Sequence, residues 1–356
     1  RGEDDFGLKH LTSLQGELAR DALHAHRAEH GVRGDEYVRE GREQASNVVV
    51  IVLESINARR WNDPEIAPEF ASWKSQGTYF PRAIAHYPTT PLTYKSIFLS
   101  QTPYVLIHSP YWAKSTPLKY LKERGVFDSF YLSRPDNHWF KQSTITSFLL
   151  GSQTSSNVHE STSSGLSGLR QHLERTHRNA GERTFSWLHV YDAHTPYKFH
   201  SHVRPRKKGE SRKLASYLSE LSYVDQQLSA FMTWYFDHPV HENTLLVVLA
   251  DHGEGIGEEV MGKPFWGHHV HVHRDVSHIP MFLAGPGIAP RGVAPFPKMV
   301  ALGIFLGLRG AILSRVNCAS ANPDVAADDR FRRYRFENAL GDDELVAQMH
   351  DDLCEA

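Results

Sequence analysis

The chain has 356 residues, enough for a large α/β catalytic unit with extensions, and its 40% hydrophobic and 22% charged content is that of an ordinary globular protein. A formal net charge of -2 argues against a nucleic-acid partner, for which a basic domain is expected. Cys318 and Cys354 are too few for a disulfide framework or a cysteine-based zinc site, whereas 23 histidines direct attention to metal and proton chemistry.

Residues 1–46 are polar, with Leu8, Leu11, Leu14 and Leu18 at helical spacing. This predicts an N-terminal helical extension or linker ending near Gly31 or Gly34. No signal peptide is recognisable, and an opening at Arg1 reads as part of something longer. At Asn47 the pattern changes to a continuous apolar run, Val48 to Leu53, the mark of a strand buried on both faces of a parallel sheet. Phe185 to Tyr191, Thr244 to Ala250 and Ile279 to Ala284 repeat it, with a predicted helix from Lys213 to Trp234 among them. Strands alternating with helices predict an α/β fold with a mostly parallel central sheet flanked by helices.

The run Val300 to Leu313 is broken by Gly303, Gly307, Arg309 and Gly310 and reads as a buried helix rather than a membrane span. Beyond it, Arg330 to Glu337 is expected as an edge strand and Asp342 to Leu353 as a short helix. These fall mainly in a small C-terminal segment, 316–356, packing on a catalytic domain of residues 47–315.

Chemistry-bearing groups follow the apolar runs. Glu54 follows the first, His194 comes shortly after the second, and Asp251-His252 follows the third. In parallel α/β sheets ligands bind beyond the carboxyl ends of the strands, so these groups are expected to converge. Carboxylate and imidazole together suit Zn²⁺ or Mn²⁺, and Gly253 lets the backbone turn beside the ion. A carboxylate at the end of an apolar run needs compensation, from a metal or from Arg59 or Arg60.

The stretch His86 to Ser96 reads as a proline-containing loop entering a helix, with Thr93 near the helix N-terminus, where unpaired N–H groups favour an alkoxide and an incoming phosphate. Thr89 and Thr90 are its local rivals. In His268-His269-Val270-His271-Val272-His273, a strand would put His269, His271 and His273 on one face and His268 opposite. The basic stretch Arg204 to Lys208, with Arg212 and Lys213, reads as a solvated loop or as a surface approaching anionic head groups.

Together these segments resemble the alkaline phosphatase/sulfatase superfamily, in the branch of phosphoethanolamine transferases and lipoteichoic acid synthases (phosphoglycerol transferases). The resemblance runs from about Asn47 to Gly287. Val50 to Ser55 resembles the first strand with its metal-binding glutamate, and Pro91 to Ser96 the nucleophile motif, with Ser96 matching the family's serine three residues on. His194-Thr195-Pro196-Tyr197 resembles the His-x-Pro-Tyr loop, and Asp251-His252-Gly253-Glu254 the most diagnostic motif. His268 lies twelve residues before Pro280, the family's spacing for its late histidine.

The resemblance implies an alkaline phosphatase-like three-layer sandwich. It implies Thr93 as nucleophile, a metal held by Glu54, Thr93, Asp251 and His252, and a catalytic His194. His194 and His268 would bind phosphate or a second metal, with Lys95, Ser96 and His269 as lesser candidates. The cofactor implied is one or two Zn²⁺, with Mn²⁺ or Mg²⁺ as alternatives. Threonine at position 93, with no cysteine near it, excludes a formylglycine sulfatase.

The activity implied is transfer of a phosphoethanolamine or phosphoglycerol head group from a phospholipid to a glycan or glycolipid hydroxyl through a phosphothreonine. The setting implied is the extracytoplasmic side of a membrane, with an anchor outside this chain. A phosphodiesterase or phosphatase using water, and a metal-stabilised binding domain without catalysis, are the alternatives.

Overall fold

Val, Ile and Leu in unbroken runs have no polar face to offer water, so their strands belong at the centre of a layered fold. A computed structural model describes residues 47–81, 83–99, 127–133, 155–179, 182–260, 262–269, 273–286, 288 and 292–293. All of them lie in one compact unit, Glu43–Asn317.

The first half contains β1 (Asn47–Leu53), α1 (Ala58–Trp61), α2 (Pro68–Trp73), β2 (Thr78–Tyr79), β3 (Ala83–Ile84), α3 (Thr90–Leu99), β4 (Phe127–Ser133), β5 (Ser155–His159) and α4 (Thr162–Arg178). The second contains β6 (Thr184–Val190), α5 (Arg212–Asp237), β7 (Thr244–Ala250), β8 (Gly255–Val260), β9 (Lys263–Gly267), α6 (Arg274–Ser277), β10 (His278–Ile279), β11 (Met281–Ala284) and β12 (Gly292–Val293).

Eight strands form the central sheet in the order β12-β2-β11-β7-β1-β6-β4-β5. β1 lies between β6 and β7 and is parallel to both, with Leu53 level with Val190 and Ala250. That register positions the site. Three chains leave the sheet at one edge, so the residues that follow them, Glu54, Tyr191 and Asp251, emerge side by side. The five strands from β7 to β5 are parallel, as expected. The fourth apolar run departs from a single parallel strand: Pro280 divides it into β10 and β11, and β11 runs antiparallel to β7. Pro280 has no N–H for a ladder, but its carbonyl accepts the Ala250 N–H at 3.1 Å.

α5 is longer than the periodicity predicts, Arg212–Asp237, because Ser211 caps its start through the Leu214 N–H. Its inner face buries Tyr217, Leu221, Val224, Leu228 and Met232. Asp225, buried on that helix, accepts the Glu69 and Phe70 N–H groups at 2.9 and 2.8 Å, fastening the start of α2. Tyr217 reaches the loop after β1: it donates to the Ser55 carbonyl and accepts the Asn57 N–H, both at 2.9 Å.

Among the described residues no helix is long and apolar enough to cross a membrane. The helix expected at Leu8 to Leu18, the run Val300 to Leu313, the elements beyond Ser314 and both cysteines lie outside the described residues, as do segments 1–46 and 316–356.

Candidate metal centre

Glu54, Asp251 and His252 meet at the carboxyl ends of β1 and β7, each with a ligand atom within 4.8 Å of the others. All three are buried. Asp251 Oδ1 accepts the N–H groups of Ser55 at 3.1 Å and His252 at 2.9 Å. Ser55 reaches that position in the left-handed region, φ 56°, a conformation that a non-glycine residue holds only when its surroundings enforce it. The other oxygen, Oδ2, has no hydrogen-bond partner and lies 3.4 Å from His252 Nε2. His252 Nδ1 is 2.9 Å from the Gly253 carbonyl; donating there leaves Nε2 as the ligand atom.

Electrostatically the cluster is built for a cation. Burial raises Glu54, but hydrogen bonds and charge from His189 and His252 hold it well below the usual carboxylate range. Burial and the neighbouring Glu54 charge push Asp251 up. Burial by itself lowers His252, yet Asp251 and Glu54 outweigh it and raise the imidazole to about 10. A proton on His252 thus balances the two acids, and a dication does the same more completely while using the free Oδ2 lone pair. The two-carboxylate, one-imidazole donor set fits Zn²⁺ or Mn²⁺. Binding must expel the His252 proton, so the sign is definite: below about pH 10 protons compete with the ion. Apparent metal affinity is expected to rise roughly tenfold per pH unit between pH 6 and 8, read by competition with a chromophoric chelator.

Neither arginine compensates Glu54. Arg59 pairs with Glu258 at 2.6 Å and Asp275 at 3.2 Å, and the partners of Glu54 are Ser55, Thr90, His189 and His252.

The hydroxyl that the structure brings to this centre is that of Thr90, the local rival of Thr93. Thr90 Oγ1 donates to Glu54 Oε1 at 3.0 Å, lies 3.2 Å from Oε2, and is 3.1 Å from His252 Nε2. Thr93, one turn on, donates instead to the Tyr87 carbonyl at 3.0 Å. The cause is the helix start: α3 begins at Thr90, with Pro91 in its first turn, where a missing N–H costs nothing. The hydroxyl three residues beyond the metal-facing one is therefore Thr93, not Ser96. Ser96 is buried and hydrogen-bonded to His86 Nδ1. Lys95 is on α3, but its side chain lies outside the described residues.

His268 and His194 come together beside His252. The His268 ring is 4.2 Å from that of His252 and 6.0 Å from that of His194, which stacks on Tyr191 at 4.5 Å. His268 is buried with Nδ1 3.3 Å from both oxygens of Glu254, itself fully buried. β9 ends at Gly267, φ +100°, and His269 follows at φ 86°; residues 270–272, on which the alternation of the histidine run depends, lie outside the described residues. The exposed His269 donates its backbone N–H to the Pro88 carbonyl at 3.1 Å, fastening this loop to the one that carries Thr90. His273 caps α6, and His271 lies outside the described residues.

One contributor, His189, escapes the sequence reading. His189, within β6, places Nε2 3.1 Å from Glu54 Oε2 and shares its Nδ1 with the Tyr94 hydroxyl. A histidine inside the buried run Thr184–Val190 is itself a signal, since a polar group there requires a partner. Gly253 also has a different purpose from a tight turn. A Cβ at Gly253 would lie 2.1 Å from the Asp275 carbonyl oxygen, and its N–H donates to the Val276 carbonyl at 2.7 Å. The glycine thus lets α6 press against the metal loop. Gly253→Ala is expected to destabilise the fold by about 2–3 kcal/mol, seen as a lower Tm, because backbone must move.

A sheet that delivers Glu54, Asp251-His252 and a helix-start hydroxyl to one edge is the arrangement of the alkaline phosphatase superfamily. The family model described as Sulfatase matches residues 46–301, and the chain belongs to that family. A Delta 4,5-hexuronate-2-O-sulfatase of Bacteroides thetaiotaomicron is 27% identical over 75 residues, 21% of this chain but 15% of that protein's length. The lipoteichoic acid synthase LtaP of Listeria monocytogenes superposes with TM-score 0.61 at 15% identity, covering 79% of this chain and 75% of LtaP. The C-terminal periplasmic domain of EcEptC from Escherichia coli, solved in complex with Zn, does so with TM-score 0.54 at 16% identity, covering 68% and 73%.

Proposed function

We propose that the chain is a metal-dependent phosphotransferase that moves a phosphoethanolamine or phosphoglycerol head group from a phospholipid to a glycan or glycolipid hydroxyl, with Thr90 as nucleophile. The observation that carries this reading is the Thr90 hydroxyl at the start of α3, 3.0 Å from Glu54 and 3.1 Å from His252. A dication held by Glu54, Asp251 and His252, with zinc as first choice, supplies the charge that favours the alkoxide and offsets the phosphoryl oxygens. The structural likeness to LtaP and to a zinc-bound EcEptC domain supports both points.

In the first half-reaction a bond forms between Thr90 Oγ1 and phosphorus as the bond from phosphorus to the lipid alcohol breaks. The Thr90 proton passes to solvent, since a metal-held Glu54 stays a carboxylate, and the diacylglycerol oxygen takes one from the side where His194 and His268 stand. In the second, the acceptor hydroxyl displaces Thr90 from phosphorus, its proton passes to the same histidines, and Thr90 Oγ1 recovers a proton from solvent. No cysteine precedes Cys318, and the hydroxyl at the metal centre is a threonine, which cannot be converted to the formylglycine aldehyde. A phospholipid donor calls for a membrane surface, and the likeness to the periplasmic domain of EcEptC supports its extracytoplasmic side.

The test is to incubate zinc-loaded protein with phosphatidylethanolamine or phosphatidylglycerol and follow intact mass, released diacylglycerol and product. A head-group adduct that a glycan acceptor discharges is the expected result. Turnover of a generic phosphodiester into water, with no adduct from either lipid, would replace this reading with a hydrolase.

A further inference from the structure

Where the His194–Tyr197 loop meets the start of α5 lies an open cleft of 390 Å³ lined by Thr195, Pro196, Tyr197, Arg212, Lys213 and Ser216. Its cations differ from the other basic residues of this region. Arg204 pairs with Glu210, Arg206 donates to the Glu210 carbonyl at 2.9 Å, and Lys207 reaches Glu65 at 2.5 Å. Two cations of that stretch, Arg204 and Lys207, are therefore paired with carboxylates. Arg212 and Lys213 are exposed and have no carboxylate partner among the described residues.

Lys213 is nevertheless held in place. Its Nζ lies 4.5 Å from the centre of the Trp266 ring, and a cation over an aromatic face is attracted by the ring quadrupole. Trp266 packs over Gly257, where an added Cβ would come within 2.9 Å of the ring. Two cations, one of them oriented, beside the partly apolar wall of Pro196 and Tyr197 suit a small polar ring bearing an oxyanion.

Short connections lead from this cleft to the reacting groups. The Tyr197 hydroxyl feels the charge of Glu254, which contacts His268, and Trp266 precedes His268 by two residues in the chain. We propose that the cleft is an acceptor subsite for a sugar carrying a phosphate or carboxylate, its oxyanion between Arg212 and Lys213. Calling the ligand an acceptor rests on the transferase reading above; binding does not.

Binding is read first, by calorimetry on the zinc-loaded protein with glucose 6-phosphate, glucuronate, glucose and inorganic phosphate as probes. The two anionic sugars are expected to bind at least tenfold more tightly than glucose, and to lose that advantage in Arg212→Ala/Lys213→Ala. Arg212→Lys/Lys213→Arg should retain it, and Lys208→Ala, outside the cleft, should behave as wild type. Unchanged binding in the double alanine variant, or inorganic phosphate binding as well as the sugars through the same two residues, would overturn the subsite.

The acceptor role is read by discharging a preformed Thr90 adduct with an anionic oligosaccharide. The expected outcome is a KM at least tenfold higher in the double alanine variant with kcat little changed. Loss of adduct formation itself would mark a donor site and overturn the acceptor assignment. If no adduct ever forms but sugar binding still depends on Arg212 and Lys213, the transferase reading fails and the subsite stands.

Discussion

Thr90→Ala is expected to lower turnover by at least about three orders of magnitude, while Thr93→Ala stays within roughly tenfold of wild type. Thr90 Oγ1 alone of the local hydroxyls touches both Glu54 and His252, so its loss removes the atom that forms the bond to phosphorus. Thr93 donates to the Tyr87 carbonyl and serves the loop that precedes the helix. Its removal costs about 1 kcal/mol of a buried hydrogen bond and some precision of placement. Thr90→Ser should restore part of the rate, because the hydroxyl returns with a less restrained rotamer. Steady-state rates with a phosphodiester substrate, on proteins matched for bound metal, separate these outcomes. Equal losses in Thr90→Ala and Thr93→Ala would show that the effect is on the fold of the loop rather than on the nucleophile.

Asp251→Asn is expected to abolish metal-dependent stabilisation and to bring turnover to background. The change keeps the shape and the Oδ1 acceptor of the Ser55 and His252 N–H groups. It removes the charge at Oδ2, the oxygen that has no other use in the fold. A ligand that binds only the folded state stabilises it by about 4 kcal/mol at a thousandfold excess over Kd. Wild-type Tm should therefore climb by several degrees on adding zinc, and that of Asp251→Asn should not. The metal-free variant should be no less stable than metal-free wild type, because two buried acids sharing one site repel each other and one of them is gone. Scanning calorimetry with and without zinc reads both effects.

Much of this centre is legible in the sequence because the physics that makes it is local and repetitive. Val48 to Leu53 and Leu245 to Ala250 have no polar alternation, so they are buried on both faces, and parallel neighbours in register deliver Glu54 and Asp251 to one place. Thr90 was ambiguous for a physical reason. Thr90 and Thr93 stand one helical turn apart beside prolines, and a hydroxyl three residues on is present whichever is chosen. Only the point at which the helix begins separates them.

His189 and Glu254 act through long-range contacts, with Glu54 and with His268, that no local period encodes. Positive φ at Gly267 and His269 is also invisible to the alternation of the histidine run. The reason for Gly253 is likewise a tertiary one: the Asp275 carbonyl approaches from a helix twenty residues on.

The most direct measurement is fragmentation mass spectrometry of the peptide spanning Thr89, Thr90 and Thr93, from zinc-loaded protein quenched during turnover of a phospholipid. A head-group phosphate located on Thr90 is the predicted result. The same group on Thr93 or Thr89, or an adduct that persists in Thr90→Ala, would contradict it.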